Sequence, residues 1–177
     1  MTRRFDRTTT GKKLHMQSLC ALRHFDFNSA RAYSYEQAIE TIQLLKLGRQ
    51  AQKEMTRRAI FNLVIRNQDD HTKNIAFLMD KNGTWSLAPA FDVVYAYNPT
   101  GEWTSQHQMS LNGNTDDFSV EDIFEFGAFA DLKKHEVKNM LKEINEAKAR
   151  WPEFCELAGV PEKMGKGAEG GFRVLHH

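Results

Sequence analysis

The chain has 177 residues, 41% of them hydrophobic and 27% charged, which is enough for one folded domain with a real core and lies outside the range of disordered chains. Its net charge of +1 excludes a protein that holds nucleic acid by bulk charge, and no apolar run has the length of a membrane span or the N-terminal placement of a signal peptide. Cys20 and Cys155 stand far apart among apolar neighbours, which suits two buried thiols in a reducing, cytoplasmic setting better than a disulfide.

Residues 2–7 read as a short extended segment, ended by Thr8-Thr9-Thr10-Gly11. Leu14 to Phe25 reads as a helix with Leu14, Ser18, Leu19 and Leu22 on a common side. Ser34 is an N-cap candidate, and Gln37 three residues later completes a capping box. The helix it opens carries Ala38, Ile39, Ile42, Leu45 and Leu47 inside and stops at Gly48. A further helix over 49–65 holds Met55, Ala59, Ile60, Phe61, Leu63 and Val64, an apolar load that predicts a central, buried position. The polar stretch after it is a loop by composition. Ile75–Met79 and Trp85–Leu87 are strand candidates around Asp80-Lys81-Asn82-Gly83, where Asn82-Gly83 is a hairpin signal, and Ala88-Pro89 stops the second strand. Residues 96–118, with Pro, Gly, Asn and Ser, form a long loop of the functional or mobile kind. Helices follow near 120–130 and 132–150, the latter with a stripe of Leu132, Val137, Met140, Leu141 and Ile144. Pro152 breaks the chain, a short helix covers 153–158, and Gly165, Gly167, Gly170 and Gly171 mark 166–177 as a flexible tail. The expected fold is mainly α with a small β-hairpin. Its order of helices, polar loop, hairpin, Asp, loop and helices is that of a protein-kinase C-terminal lobe.

Charge is spread unevenly. Residues 1–58 hold 12 Lys/Arg against 5 Asp/Glu, and residues 59–131 hold 3 against 11. The acidic block coincides with Asn67-Gln68-Asp69-Asp70-His71-Thr72-Lys73-Asn74 and with Phe91-Asp92. Clustered carboxylates attract divalent cations, and hard oxygen ligands suit Mg2+; Asp116, Asp117, Glu121 and Asp122 read instead as solvated loop charges. An Asp and an Asn five positions apart, with a second Asp downstream, is how a kinase builds its phosphoryl-transfer site. On that pattern Asp69 is the candidate base for an attacking hydroxyl, and Asn74 and Asp92 are candidate Mg2+ ligands. Lys73 either contacts a phosphate oxygen or pairs with Asp69 or Asp70. His71 orients the loop by hydrogen bonding, Asp70 faces solvent, and Asn67 braces the loop backbone. Taken singly, Asp69 and Asn74 are ordinary turn residues; their spacing together with Asp92 is what points to chemistry.

Asn-x-Asp-x-His-x-Lys-Asn, then a hairpin, then Leu-x-Pro-x-(Tyr/Phe)-Asp, resembles the HipA family of bacterial toxin kinases. The matching residues are Asn67, Asp69, His71, Lys73, Asn74, Leu87, Pro89, Phe91 and Asp92. Arg4-Phe5-Asp6-Arg7 also resembles that family's hinge, where the two lobes join and the adenine ring sits, with Arg3 standing where the family often has an acidic residue. The resemblance covers residues 2–160. It implies a HipA-like kinase C-terminal lobe over 1–165, with a hinge at 1–7 and a catalytic and metal-binding region at 66–95. Such a lobe uses ATP and Mg2+ to phosphorylate a serine or threonine of a protein substrate. It further implies Asp69 as base with Lys73 and His71 beside it. Arg3, Phe5, Asp6 and Lys73 would face the nucleotide, Asn74 and Asp92 would hold the metal, and a HipB-like DNA-binding antitoxin would be the partner. The chain begins at the hinge, so the N-terminal lobe is absent on this reading. Phosphoryl transfer needs charge neutralisation from both sides of the nucleotide, so the fragment is expected to be weak or inactive unless a separately encoded N-lobe completes it.

Two other classes compete. A catalytically silent truncated toxin, binding an antitoxin or a target protein, would expose an apolar patch near residues 2–7 and 75–94. A metal-dependent hydrolase on Asp69, Asp70, His71 and Asp92 needs several His ligands at set spacing, and the seven His, at 15, 24, 71, 107, 135, 176 and 177, show none. Direct nucleic-acid binding would rest on the basic first third alone, where no groove-reading motif is visible.

Overall fold

The computed structural model describes residues 4–175. In chain order its elements are β1 (His15–Ser18), α1 (Leu19–Arg23), β2 (Tyr33–Ser34), α2 (Tyr35–Leu44), α3 (Arg49–Ile65), β3 (Ala76–Met79), β4 (Trp85–Leu87), β5 (Met109–Ser110), α4 (Val120–Phe129), α5 (Lys134–Ala149), α6 (Trp151–Leu157) and α7 (Glu162–Gly171). The described residues thus form a mixed α/β fold of seven helices and two small sheets. This corrects the expectation of a mainly α domain with only a hairpin.

The hairpin forms where Asn82-Gly83 predicts it. Gly83 takes a φ of 80°, and the Asp80 carboxylate accepts from the Asn82 and Thr84 amides at 2.8 and 2.9 Å. Ala76, Phe77 and Leu78 of β3 are buried, so the strand's backbone groups need partners on both edges. β4 satisfies one edge. β1 satisfies the other, antiparallel from His15 opposite Met79 to Ser18 opposite Ala76. Residues 15–18 are therefore strand, not the start of the helix expected over Leu14–Phe25. The change falls at Ser18, whose hydroxyl accepts from the Ala21 amide and caps α1. The second sheet pairs β2 with β5 in parallel, Tyr33 with Met109 and Ser34 with Ser110. It pins the long 96–118 segment to the start of α2.

The helical core is assembled around α3, whose Met55, Ala59, Ile60, Leu63 and Val64 are fully buried among α2, α4 and α5. Ser34 and Gln37 make the reciprocal capping box at α2, and Ser119 and Asp122 make a second at α4. At the periphery Arg49 and Arg57 of α3 pair with Glu136 and Glu143 of α5. The Arg49 guanidinium, followed by the Lys133 amide, holds the Glu136 carboxyl down at about 2. Its ionised form is favoured by folding, so this contribution to stability is complete above the ordinary value of 4.5 and is lost as pH falls from there through about 2. Arg49→Ala should move the Glu136 midpoint back up toward the ordinary value, read by carboxyl-carbon NMR titration, and should flatten the acid side of the stability profile.

α4 and α5 approach closely at Gly127. A Cβ there would overlap the Cγ2 methyl of buried Val137. Gly127→Ala should therefore destabilise by about 1–2 kcal/mol, the overpacking cost less the helix-propensity gain of alanine, seen as a melting point lower by about 2–8 °C.

Two further expectations change. The glycine-rich end is helix α7, not a loose tail. Gly165 lies against Cys155, Gly171 against the Tyr95 ring, and the Trp151 indole donates to Gly165 O at 2.9 Å. Beyond the helix Arg173 is buried, donates its amide to Val64 O at 2.8 Å and pairs with Asp116. Gly165 and Gly171 are spacers for close packing, whereas Gly167 and Gly170 face open space. Asp116, expected to be a solvated charge, is engaged by that arginine, which with its guanidinium charge holds the carboxyl below its usual range against the opposing effect of partial burial. Cys20 and Cys155 are buried free thiols, as expected, and no described helix is long and apolar enough to cross a membrane.

Candidate active site

Arg66 ends α3 in a left-handed conformation (φ 53°), its amide turned back to Asn62 O and Leu63 O. The next amide, of Asn67, also reaches Asn62 O at 3.0 Å. This double closure sends residues 67–74 off the buried end of the central helix. The far end of the loop is held by α1, where the Leu19 amide donates to Ile75 O at 2.8 Å and the Cys20 amide to Thr72 O at 3.4 Å. Within it Asn74 N donates to His71 O at 2.9 Å, and the Asn74 side-chain amide nitrogen donates to Asp69 O at 3.1 Å. The loop is thus closed on itself between the two residues expected to share a reaction.

The candidate residues fall into distinct places. The Asp69 side chain is 42% exposed, and its carboxylate lies 3.7 Å from His71 Nε2, too far for a hydrogen bond. Asn74, Asp92 and His71 line one cavity of about 360 Å3 between α3, α5 and residues 90–93; Asp69 lies outside its wall. Asp92 is exposed and has a φ of 53°, a conformation that aspartate tolerates better than most residues. The His71 carbonyl accepts the Asn74 amide, but its ring forms no hydrogen bond among the described residues: Nε2 is too far from Asp69 and the buried Nδ1 finds no partner, so the expected orienting bond from the side chain is not made. Among the described residues Lys73 makes no ion pair with Asp69 or Asp70, whose partners within ion-pair distance are His71 and His107, and its ammonium sits 4.4 Å above the exposed Phe27 ring. Neither sequence-based alternative for Lys73, phosphate contact or pairing with Asp69 or Asp70, describes that contact.

Phe5 packs on Phe91 with ring centroids 5.6 Å apart, in a small cluster with Ala76, Leu78 and Ala88. The segment expected to be the hinge therefore abuts the residue before Asp92. The Asp6 carboxylate is occupied by Arg4 (2.7 and 2.8 Å) and Arg7 (2.5 Å). Arg4, hydrogen-bonded to it, holds it at about 2. Arg3 lies outside the described residues. Large apolar side chains exposed near this face are Met16, Val93 and Val94.

Sequence reasoning placed Asp70 in solvent, and this is wrong. Asp70 is only 3% exposed. Its Oδ2 accepts from Tyr35 Oη at 2.7 Å and contacts His107 Nδ1 at 2.8 Å, and its Oδ1 accepts from the Gln108 amide at 2.7 Å. Burial pushes the Tyr35 phenol well above its usual value, and the Asp70 charge adds to the shift. Tyr35 Oη also accepts from Asn62 Nδ2 at 2.9 Å, and Asn62 Oδ1 accepts from Asn67 Nδ2 at 3.1 Å. Asn67 thus braces the loop through the Asn62 side chain, as well as through its own amide. The available signal for Asp70 was its neighbour: consecutive residues of an extended stretch point to opposite sides, so an exposed Asp69 implies an inward Asp70.

Asn74 and Asp92 offer an amide oxygen and a carboxylate, both hard donors. Because the Asn74 nitrogen is engaged by Asp69 O, its Oδ1 remains for a cation. Such a pair fits Mg2+, which keeps most of its waters and takes only one or two protein ligands beside substrate phosphates. No group of three or more His, Cys, Asp or Glu converges for a metal among the described residues, which argues against the hydrolase alternative.

The profile of the HipA-like C-terminal domain matches residues 1–151. The chain belongs to that family. This HipA-like domain is 24% identical over 183 aligned positions to a Haemophilus influenzae protein named "Putative kinase", covering 90% of the chain and 53% of that protein. Its fold matches the HipA–HipB–operator DNA complex of the Shewanella oneidensis MR-1 toxin–antitoxin system, with a TM-score of 0.69 and 20% identity, over 94% of this chain and 44% of that one. The domain therefore spans about half the length of each.

Proposed function

We propose that this HipA-like domain is the C-terminal, kinase-like lobe of an ATP- and Mg2+-dependent protein serine/threonine kinase, the toxin component of a toxin–antitoxin pair. The observation that carries the reading is the closed 69–74 loop, in which Asn74 is tied to the Asp69 backbone while sharing a cavity wall with Asp92. Asp69 takes the proton of the substrate hydroxyl, its exposure leaving room for a protein segment. Asn74 and Asp92 hold the metal, which when bound neutralises charge on the nucleotide's phosphates. Phe5 and its neighbours border the nucleotide. The HipB present in the Shewanella complex makes a HipB-like antitoxin the expected partner, and the setting is cytoplasmic.

Phosphate transfer from radiolabelled ATP to a generic protein acceptor, assayed for this chain with and without an N-terminal lobe in cis or in trans, tests the proposal. Mg2+-dependent labelling that appears with the second lobe supports it. Tight antitoxin binding with no turnover under either condition supports the silent-module alternative, which draws on the exposed Met16, Val93 and Val94.

A further inference from the structure

We propose that Asp70 is a positioning residue for phosphoryl transfer: its buried carboxylate locks the 67–74 loop to the 103–118 segment and so fixes how Asp69 and Asn74 are presented. The inference rests on the kinase reading and deepens it.

A carboxylate is an expensive group to bury, and it is kept inside a fold only when its oxygens are fully engaged. Asp70 meets that condition without any Lys or Arg partner among the described residues. Its three donors come from two distant parts of the chain: Tyr35 opens α2, while His107 and the Gln108 amide belong to the long segment before α4. Asn62 extends the network into α3, and Asn67 returns it to the loop itself. His107 is fully buried against Phe118, its amide donates to Thr115 O at 2.9 Å, and Gln108 donates its side-chain amide to Trp103 O. Register shifts of the 103–118 segment would therefore be felt at Asp70, one residue from the candidate base. Charge matters as well as shape. All three partners present N–H or O–H to Asp70 when the His107 proton is on Nδ1, so an amide in its place must turn one N–H toward another donor.

The test uses Asp70→Asn, Tyr35→Phe, His107→Leu and His107→Asn, the last keeping a donor where Nδ1 sits. With an N-terminal lobe supplied, Asp70→Asn should lower kcat at least tenfold. In the chain itself, Mn2+ used as the probe should bind at least threefold more weakly, because Asn74 is presented by the same loop. The downfield proton resonance of the His107 Nδ1–H should vanish. Tyr35→Phe, which removes one donor from a site that keeps its volume, should give a several-fold loss in kcat and Mn2+ affinity, and it serves as the decisive variant if Asp70→Asn does not fold. His107→Asn should recover most of what His107→Leu removes. Folded Asp70→Asn or Tyr35→Phe protein with wild-type kcat and Mn2+ affinity overturns the proposal. If the wild type itself transfers no phosphate, the kinase reading fails, while the Mn2+ affinities and the proton resonance still decide whether Asp70 positions the loop.

Discussion

Asp69→Asn should lower the rate of phosphoryl transfer, measured with an N-terminal lobe present, by ~10^2–10^4, the usual worth of a positioned general base. The side chain is well placed for a clean experiment. It is part-exposed and its carboxylate makes no hydrogen bond within the described residues, with His71 Nε2 the nearest partner at 3.7 Å. What the residue contributes to the loop is its carbonyl, which receives the Asn74 amide at 3.1 Å and is untouched by the substitution. The melting point should therefore change little, the exposed-site expectation being within about 0.5 kcal/mol. KM for ATP should hold, because the carboxylate does not line the wall carrying Asn74 and Asp92. A fall in kcat with stability and KM intact assigns proton transfer to Asp69. Wild-type turnover in the variant removes that assignment.

What was legible in the sequence was local. Asn82-Gly83 names its own turn, because only certain residues take positive φ there. Ser34 with Gln37 announces a helix start through a box that closes within four residues. That Asn74 and Asp92 share a cavity wall was legible because it follows from a spacing, whereas the place of Asp69 outside that wall was not. What failed to show was settled by distant partners. β1 has four residues, and its strand character comes from the β3 edge some sixty positions later; in isolation Leu14, Ser18, Leu19 and Leu22 fit a helix equally well. The two-residue pairing of β2 with β5 leaves no periodicity at all. Gly165 and Gly171 of α7 read as flexible because glycine serves both mobility and close approach, and only the positions of Cys155 and Tyr95 tell which. Asp70 was misjudged for a related reason. A carboxylate beside another carboxylate reads as surface until Tyr35 and His107, from remote parts of the chain, are seen to converge on it.

The Asp92 position separates charge from backbone in a way that few sites allow. Its φ of 53° is one that asparagine adopts at least as readily as aspartate, whereas alanine is penalised there by about 1–2 kcal/mol. Asp92→Asn should therefore fold with wild-type stability yet lose the negative charge that draws a divalent cation. Activity with the second lobe present should fall by at least ~10^2, the order seen when one electrostatic group is removed from a preorganised site, and partial recovery should require far higher Mg2+. Asp92→Ala should show the same catalytic loss together with a lower melting point, and Asp92→Gly should show it without the lowering, since glycine accepts positive φ freely. Mn2+ titration and thermal melting of the three variants resolve the two effects. Should Asp92→Asn keep both the wild-type Mg2+ requirement and the wild-type rate, the cation must be held elsewhere, and the pairing of Asn74 with Asp92 would lose its chemical meaning.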